Sequence, residues 1–212
     1  MASYSIVVHG PSRSFAPDDP FLEGAVSNAT VQVHLGVLSD ELVESDEQAT
    51  CTLVELDIEC LGVHTGETCG SEGDNRIGFA RWQLGDREPS NLIELVVQPA
   101  TPDAAVEAAR SVFVEADMKV AICRDFSGRI LDRLLRPYFN DALRGLDEGL
   151  ATAADLDKTV RLGLGYPEGP ISLLDRVGLA RHHDVSRALL EAYGMPGYVP
   201  ARRAVVARAR QR

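Results

Sequence analysis

From Ser127 onward the apolar residues change period. Ile130, Leu131, Leu134, Leu135, Tyr138, Phe139, Ala142, Leu143 and Leu146 recur every three or four positions, the spacing that stacks side chains on one face of a helix. Gly149 stops the run, so the pattern predicts one long helix between Ser127 and Gly149 with a wide apolar stripe. Such a stripe serves as a domain core, a dimer seam, or both. Three further helices follow. Thr152-x-x-Asp155 caps the first of them. Gly-Tyr-Pro-Glu-Gly-Pro at 165–170 forces a tight turn, and Pro170 is suited to start the next helix. Residues 179–193 form another, stopped by Gly194 and Pro196.

The chain before Ser127 alternates rather than cycles. Strands are predicted over 4–9, 29–35, 52–61, 76–82, 92–97 and 119–123. In the third, Glu55, Asp57 and Glu59 alternate with apolar residues, which favours a strand with one solvated acidic face. Residues 11–20 and 64–75 read as loops, and 40–48 as a short acidic helix or loop. Thr101-Pro102-Asp103 opens a helix, with Thr101 as its cap and Pro102 in its first turn. The expected fold class is therefore α/β plus all-α: a truncated, Rossmann-like domain over 1–123 and a helical domain over 124–212.

The charge supports two parts. Residues 1–123 carry 6 Lys/Arg against 21 Asp/Glu, a balance of −15, while 124–212 carry 15 against 11, a balance of +4. An acidic first part repels polyanions, so nucleic acid is not an expected partner. No apolar run is long enough to span a membrane. The N-terminus has no basic n-region, so the expected compartment is the cytoplasm. Cys51, Cys60, Cys69 and Cys123 include no Cys-x-x-Cys pair. Cys51, Cys60, Cys69 and His64 would make only a loosely spaced zinc set, and reduced thiols with no metal are the expectation.

Residues 155–179, Asp-Leu-Asp-Lys-Thr-Val-Arg-Leu-Gly-Leu-Gly-Tyr-Pro-Glu-Gly-Pro-Ile-Ser-Leu-Leu-Asp-Arg-Val-Gly-Leu, closely resemble the C-terminal domain of the 3-hydroxyacyl-CoA dehydrogenase family. Asn91-Leu-Ile-Glu-Leu-Val-Val resembles that family's Lys-Leu-Val-Glu-Val strand. Gly128-Arg-Ile-Leu-Asp-Arg-Leu-Leu resembles its Gly-Phe-Ile-x-Asn-Arg-Leu entry to the helical domain. The resemblance runs from about Leu92 to about Val199, roughly half the chain. It implies a Rossmann domain that binds NAD, a helical domain that dimerises, an acyl-CoA held between the two, and chemistry by a His–Glu pair.

Three of those requirements are altered here. The NAD fingerprint needs G-x-G-x-x-G after the first strand, whereas this strand ends His9-Gly10-Pro11-Ser12-Arg13-Ser14. One glycine remains and Pro11 lacks an N–H donor. The stretch to Thr30 is too short for the usual helix, second strand and ribose-binding acid. The family His falls on Ala80, which cannot take a proton, while Glu94 aligns with the family Glu. The family Asn of the helical domain falls on Asp132. Arg81 and Trp82, beside Ala80, are candidates for a rebuilt substrate-binding subsite; packing and surface charge is the plainer account of them. Glu94 is equally a retained acid or an ordinary strand residue. His182 and His183 are expected at the surface.

The resemblance with these changes implies a divergent relative without normal NAD-dependent turnover, expected to bind no cofactor. It would bind or transform an acyl-CoA or a small acyl or carboxylate ligand in the interdomain cleft, as a homodimer. Two alternatives stand beside it: an active NAD-dependent dehydrogenase with a rebuilt site, and a non-catalytic dimerisation partner of a complete homologue.

Overall fold

A computed structural model describes residues 3–83 and 89–211. They fall into two compact units, one of residues 3–83 and 89–129, the other of 130–211. The first runs past Cys123 to Arg129 because this segment is tied back into it. The Gly128 amide donates to the Ile58 carbonyl at 2.7 Å, and the Arg129 guanidinium to the Asp57 carbonyl at 2.5 Å.

The first unit is built on a six-stranded sheet in the order β1 (Tyr4–Val8), β2 (Val31–Leu35), β3 (Cys51–Glu55), β4 (Arg76–Arg81), β5 (Leu92–Val97) and β6 (Lys119–Arg124). β1 to β4 pair in parallel, β5 runs antiparallel to β4, and β6 is parallel to β5. The spatial order never reverses. A doubly wound dinucleotide fold has further strands beyond its first and binds its ligand where the order turns back; here β1 is the edge. Between β1 and β2 there is only α1 (Pro20–Glu23), one turn capped by Asp19.

α3 (Asp103–Glu115) covers one face of the sheet. Its Ala105, Ala109, Val112 and Phe113 join Leu53, Ile77, Phe79, Ile93 and Leu95 in the main core. Tyr4, Phe15, Phe21, Phe79 and Phe113 stack through this core with centroids 4.4–5.5 Å apart along the chain of contacts, favourable aromatic spacing. Val37, Val43, Val54, Leu56, Leu61 and Val96 make a smaller cluster.

Local details differ from the sequence expectation in instructive ways. The third strand ends at Glu55, not at residue 61, because the Glu59 carboxylate bends back to accept the Asp57 and Ile58 amides at 2.9 and 3.0 Å. The supposed loop at 64–75 overlaps α2 (Leu61–Thr65), whose first amides, of Leu61 and Gly62, donate to Asp125 at 2.6 and 2.7 Å. Thr101 does not cap α3. Its hydroxyl takes the Gln98 amide at 3.1 Å, and the Pro102 carbonyl receives the first helical N–H groups.

The second unit holds α4 (Leu131–Asp147), α5 (Ala153–Leu164), α6 (Pro170–Val177), α7 (Leu179–Tyr193), a 3-10 turn at Pro196–Tyr198 and α8 (Arg202–Ala209). α4 starts at Leu131 because Gly128 and Arg129 both take left-handed backbone angles, φ +72° and +49°. Its buried face is not the plain apolar stripe expected. Leu134 is exposed, whereas Asp132, Arg136 and Asn140, spaced by four, are buried beside Phe139 and Leu143.

The 165–170 turn has a clear cause. Asp157 on α5 caps α6, accepting the Ile171 and Ser172 amides at 2.8 and 3.0 Å and the Ser172 hydroxyl at 2.5 Å. A Cβ on Gly169 would stand 2.3 Å from that carboxylate, so only glycine fits. Thr152 caps α5 through the Asp155 amide, and Pro170 opens α6, both as expected.

Candidate functional site at the edge of the sheet

The loop after β1 is the place where a dinucleotide fold offers its backbone donors to a pyrophosphate. Here two of those backbone donors, of Arg13 and Ser14, are already used. One Glu55 oxygen accepts the Arg13 and Ser14 amides at 2.9 and 2.6 Å and the Ser12 hydroxyl at 2.7 Å; the other accepts the Gly36 amide at 2.7 Å. Glu55 is fully buried, which reverses its expected place on a solvated strand face. A buried carboxylate requires such compensation. The side chain reaches the loop because β3 lies two strands from β1 and ends beside it.

The Arg13 side chain is held through one terminal nitrogen, while its Nε is buried without a partner. Arg13 donates to the Val37 and Glu55 carbonyls at 2.7 and 3.3 Å. The backbones of Gly10 and Gly36 meet so closely that a Cβ on Gly36, at φ +66°, would lie 2.3 Å from the Gly10 oxygen. Glycine at 10 thus serves strand packing rather than a phosphate. The residues present do not fit NAD at this loop: the Arg13 and Ser14 amides hold an internal carboxylate, the following helix is one turn, and among the described residues the sheet order has no reversal. No sequence signal marked Glu55, since its partners lie 19 to 43 positions away.

Ala80 and Glu94 are direct cross-strand partners in β4 and β5. Both are buried, and Glu94 forms an ion pair with Arg129 at 3.4 Å. An arginine charge, rather than an imidazole, accompanies this carboxylate, and Arg129 occupies the position of the Phe in the Gly-Phe-Ile pattern. Arg81 donates to Asp19 at 2.8 Å and to the Ser90 carbonyl at 2.6 Å, and lies over the Phe15 ring. Trp82 is half-buried, and its carbonyl accepts the Ser90 amide. The two residues thus belong to the β4–β5 connection and the loop after β1.

Asp132 lies in the second unit, buried and held by Arg136 at 2.5–2.8 Å. Arg136 also points to His182 Nδ1 at 3.4 Å, while His182 Nε2 meets Asn140 Oδ1 at 2.9 Å. The same Asn140 oxygen accepts the Ala201 amide at 3.1 Å. His182 is therefore not at the surface: α7 turns it into the bundle. Burial first, and the Arg136 charge second, push its pKa down to about 3, so the ring is neutral at pH 7.

One histidine pair was not singled out by the sequence. His9 at the end of β1 meets Glu41 at 2.6 Å and His34 on β2 at 3.0 Å. Burial, then the neighbouring His9, push His34 down to about 4. Strand pairing causes the meeting, since Val8 is level with Leu35.

For the cysteines, Cys51 is buried in β3 and burial raises its pKa to about 12, whereas Cys69 donates to Glu72. Both His64 nitrogens are taken, by the Glu41 carbonyl at 2.8 Å and Glu59 at 3.2 Å. Among the described residues no three His, Cys, Asp or Glu side chains stand together to hold a metal ion.

A parallel-rich α/β sheet followed by a helical domain is the fold of the solved 3-hydroxyacyl-CoA dehydrogenases. The (S)-3-hydroxybutyryl-CoA dehydrogenase of Ralstonia eutropha superposes with a TM-score of 0.70 at 20% identity, over 86% of this chain and 66% of that one. Residues 128–210 match the model of the 3-hydroxyacyl-CoA dehydrogenase C-terminal domain. Among curated relatives, the 3-hydroxybutyryl-CoA dehydrogenase of Bradyrhizobium diazoefficiens is 33% identical over 109 residues, 51% of this chain and 37% of that protein. That of Mycobacterium tuberculosis is 38% identical over 112 residues, 51% of this chain and 38% of its own length. The chain thus spans less than two-fifths of these relatives. No described helix is long and apolar enough to cross a membrane.

Proposed function

We propose that this protein is a divergent 3-hydroxyacyl-CoA dehydrogenase relative that does not carry out NAD-dependent hydride transfer and that binds or transforms an acyl-CoA or other small acyl or carboxylate ligand. The observation that carries the reading is the Glu55 carboxylate, seated on the Ser12, Arg13 and Ser14 donors of the loop after β1 and on the Gly36 amide after β2. A phosphate brought to that loop meets a negative charge, with the Arg13 and Ser14 amides already taken by it, which is repulsion in place of the usual stabilisation.

The pairing of Ala80 with Glu94 supports it further. Hydride removal from a hydroxyl-bearing carbon needs a base at the hydroxyl, and alanine supplies none. Glu94 is joined to Arg129, so its charge is balanced within the unit. The decisive measurement is NADH formation from 3-hydroxybutyryl-CoA and NAD at micromolar protein. The expected result is no absorbance change at 340 nm above buffer. Turnover that is abolished in Glu94→Ala would overturn the reading.

A homodimer through the helical unit belongs to the same reading. α5 buries no residue within the chain, and Leu162 and Leu164 at its end are exposed, as are Leu134, Leu150 and Tyr166. Apolar exposure on this scale marks a surface used for association.

A further inference from the structure

We propose that His9, His34 and Glu41 form a pH-sensitive clasp at the carboxyl ends of β1 and β2, closed when the two imidazoles hold one excess proton and opened when acid adds a second. Three pieces of chain meet there: His9 follows β1, His34 lies on β2, and Glu41 closes a turn in the segment after β2. Glu41 Oε1 stands 2.6 Å from His9 Nδ1, and His9 Nε2 stands 3.0 Å from His34 Nδ1. The other Glu41 oxygen accepts the Leu38 amide at 3.3 Å, and the Glu41 amide donates to the Leu38 carbonyl at 2.9 Å. The clasp thus ties the tip of β1 to the turn Leu38–Glu41. The carboxyl ends of parallel strands are the rim at which α/β sheets receive ligands, so the clasp governs how firmly that rim is held.

The partners decide where the hydrogens sit. The Gln32 side-chain nitrogen donates to Asp46 at 2.7 Å, which turns the Gln32 oxygen toward His34 Nε2 at 3.5 Å. His34 therefore carries its hydrogen on Nε2 and offers the Nδ1 lone pair to an N–H of His9. The other His9 nitrogen donates to a carboxylate, since this bond holds the Glu41 carboxyl below its usual range. The closed clasp is a cation between an anion and a neutral ring. A proton on His34 Nδ1 would set two N–H groups head to head and two positive charges side by side. Across the strands His34 is level with Val7 on β1 and Val54 on β3, which are apolar. Behind the turn, His64 of α2 donates to the Glu41 carbonyl at 2.8 Å and meets Glu59 at 3.2 Å, with Arg13 as a further charge near it. Burial opposes a charge on His64, but Glu59 and the Glu41 carbonyl outweigh it and raise its pKa. That second tie persists in acid and confines the opening to His9 and the Leu38–Glu41 turn. Burial, then His9, push the clasped His34 down to about 4, against 6.5 for a free ring. The closed state is therefore fully favoured above pH 6.5 and loses ground as pH falls toward 4. By pH 4 the opening equilibrium rises roughly a hundredfold.

The test follows the imidazole nitrogens and the Leu38–Glu41 amides of the full chain by NMR while the pH is lowered. At pH 7 His34 is expected as the Nε2–H form, with a nitrogen–nitrogen coupling across the His9–His34 hydrogen bond. That coupling should vanish as His34 takes its proton, with a midpoint near pH 4, and the Leu38 and Glu41 amide shifts should move with the same midpoint. His34→Asn puts an amide oxygen close to the place of Nδ1 and does not titrate, so the amide shifts that follow this midpoint should disappear. A His34 ring with its hydrogen on Nδ1, one that titrates above about pH 6, or amide shifts untouched by His34→Asn would overturn the clasp. Should the variant fail to fold, the tautomer and midpoint in the unaltered protein decide by themselves.

Discussion

Glu55 is the residue on which the first unit turns. Its carboxylate answers four donors that belong to two different loops. Glu55→Ala leaves those donors buried and unanswered, at about 1–3 kcal/mol for each that water cannot reach. The expected loss is about 3 kcal/mol or more in urea unfolding, with Glu55→Gln losing less because it keeps one acceptor oxygen. An unchanged midpoint in Glu55→Ala would show that the loop does not depend on it. His182 makes a pH prediction. Its folded pKa, about 3, lies below the unfolded value near 6.5, so only the unfolded chain binds the proton between them. Stability is therefore present above pH 6.5 and falls as pH drops toward 3, by up to about 1.4 kcal/mol per pH unit from this group. His182→Gln, neutral throughout, should flatten that slope when urea midpoints are compared at pH 7 and pH 4.5. His34, pushed down to about 4, adds slope of the same sign from the first unit.

At the scale of elements, the helix–turn–helix of α5 and α6 is a single device. Asp157 caps α6, and Gly169 leaves the room for it. Asp157→Ala should cost about 1–2 kcal/mol through loss of the cap. Gly169→Ala should cost a similar about 1–3 kcal/mol through overpacking, although its φ of −87° suits any residue. The new Cβ would also stand 2.4 Å from the Asp157 Cα and Cβ, so the clash outlasts the loss of the carboxylate, and the double variant should be at least as destabilised as Gly169→Ala alone; a double variant that melts higher than Gly169→Ala would show that the carboxylate oxygen alone sets the clash. Much of this element was legible in sequence: the Thr152 cap, Pro170 at the helix start and the stop at Gly194 are local signals, and the structure places each where it was read. The β3 boundary was not legible, because Glu59 folding back on the Asp57 and Ile58 amides is a turn that alternating residues conceal.

For the whole molecule, the proposed homodimer makes a direct prediction. Light scattering should give twice the monomer mass, and Leu162→Asp with Leu164→Asp should halve it while helix content is kept; a monomeric parent protein would count against the proposal. Sequence alone determined the kinds of elements and their order: alternating strands, then period-3.6 helices, with an acidic part ahead of a basic one and turns set by glycine and proline. These follow from neighbours a few positions apart, where side-chain spacing and backbone freedom act directly. Only the tertiary structure decided what the carboxylates do. Glu55 was indistinguishable from Glu59 by pattern, yet one is buried against a loop 41 to 43 residues earlier and the other ends a strand. Likewise Asp132, Arg136 and His182 form a buried network rather than a wet surface, through a contact 46 positions apart. Burial of a charge is settled by which distant donors arrive to meet it, and that depends on strand order and helix packing, which local periodicity does not encode.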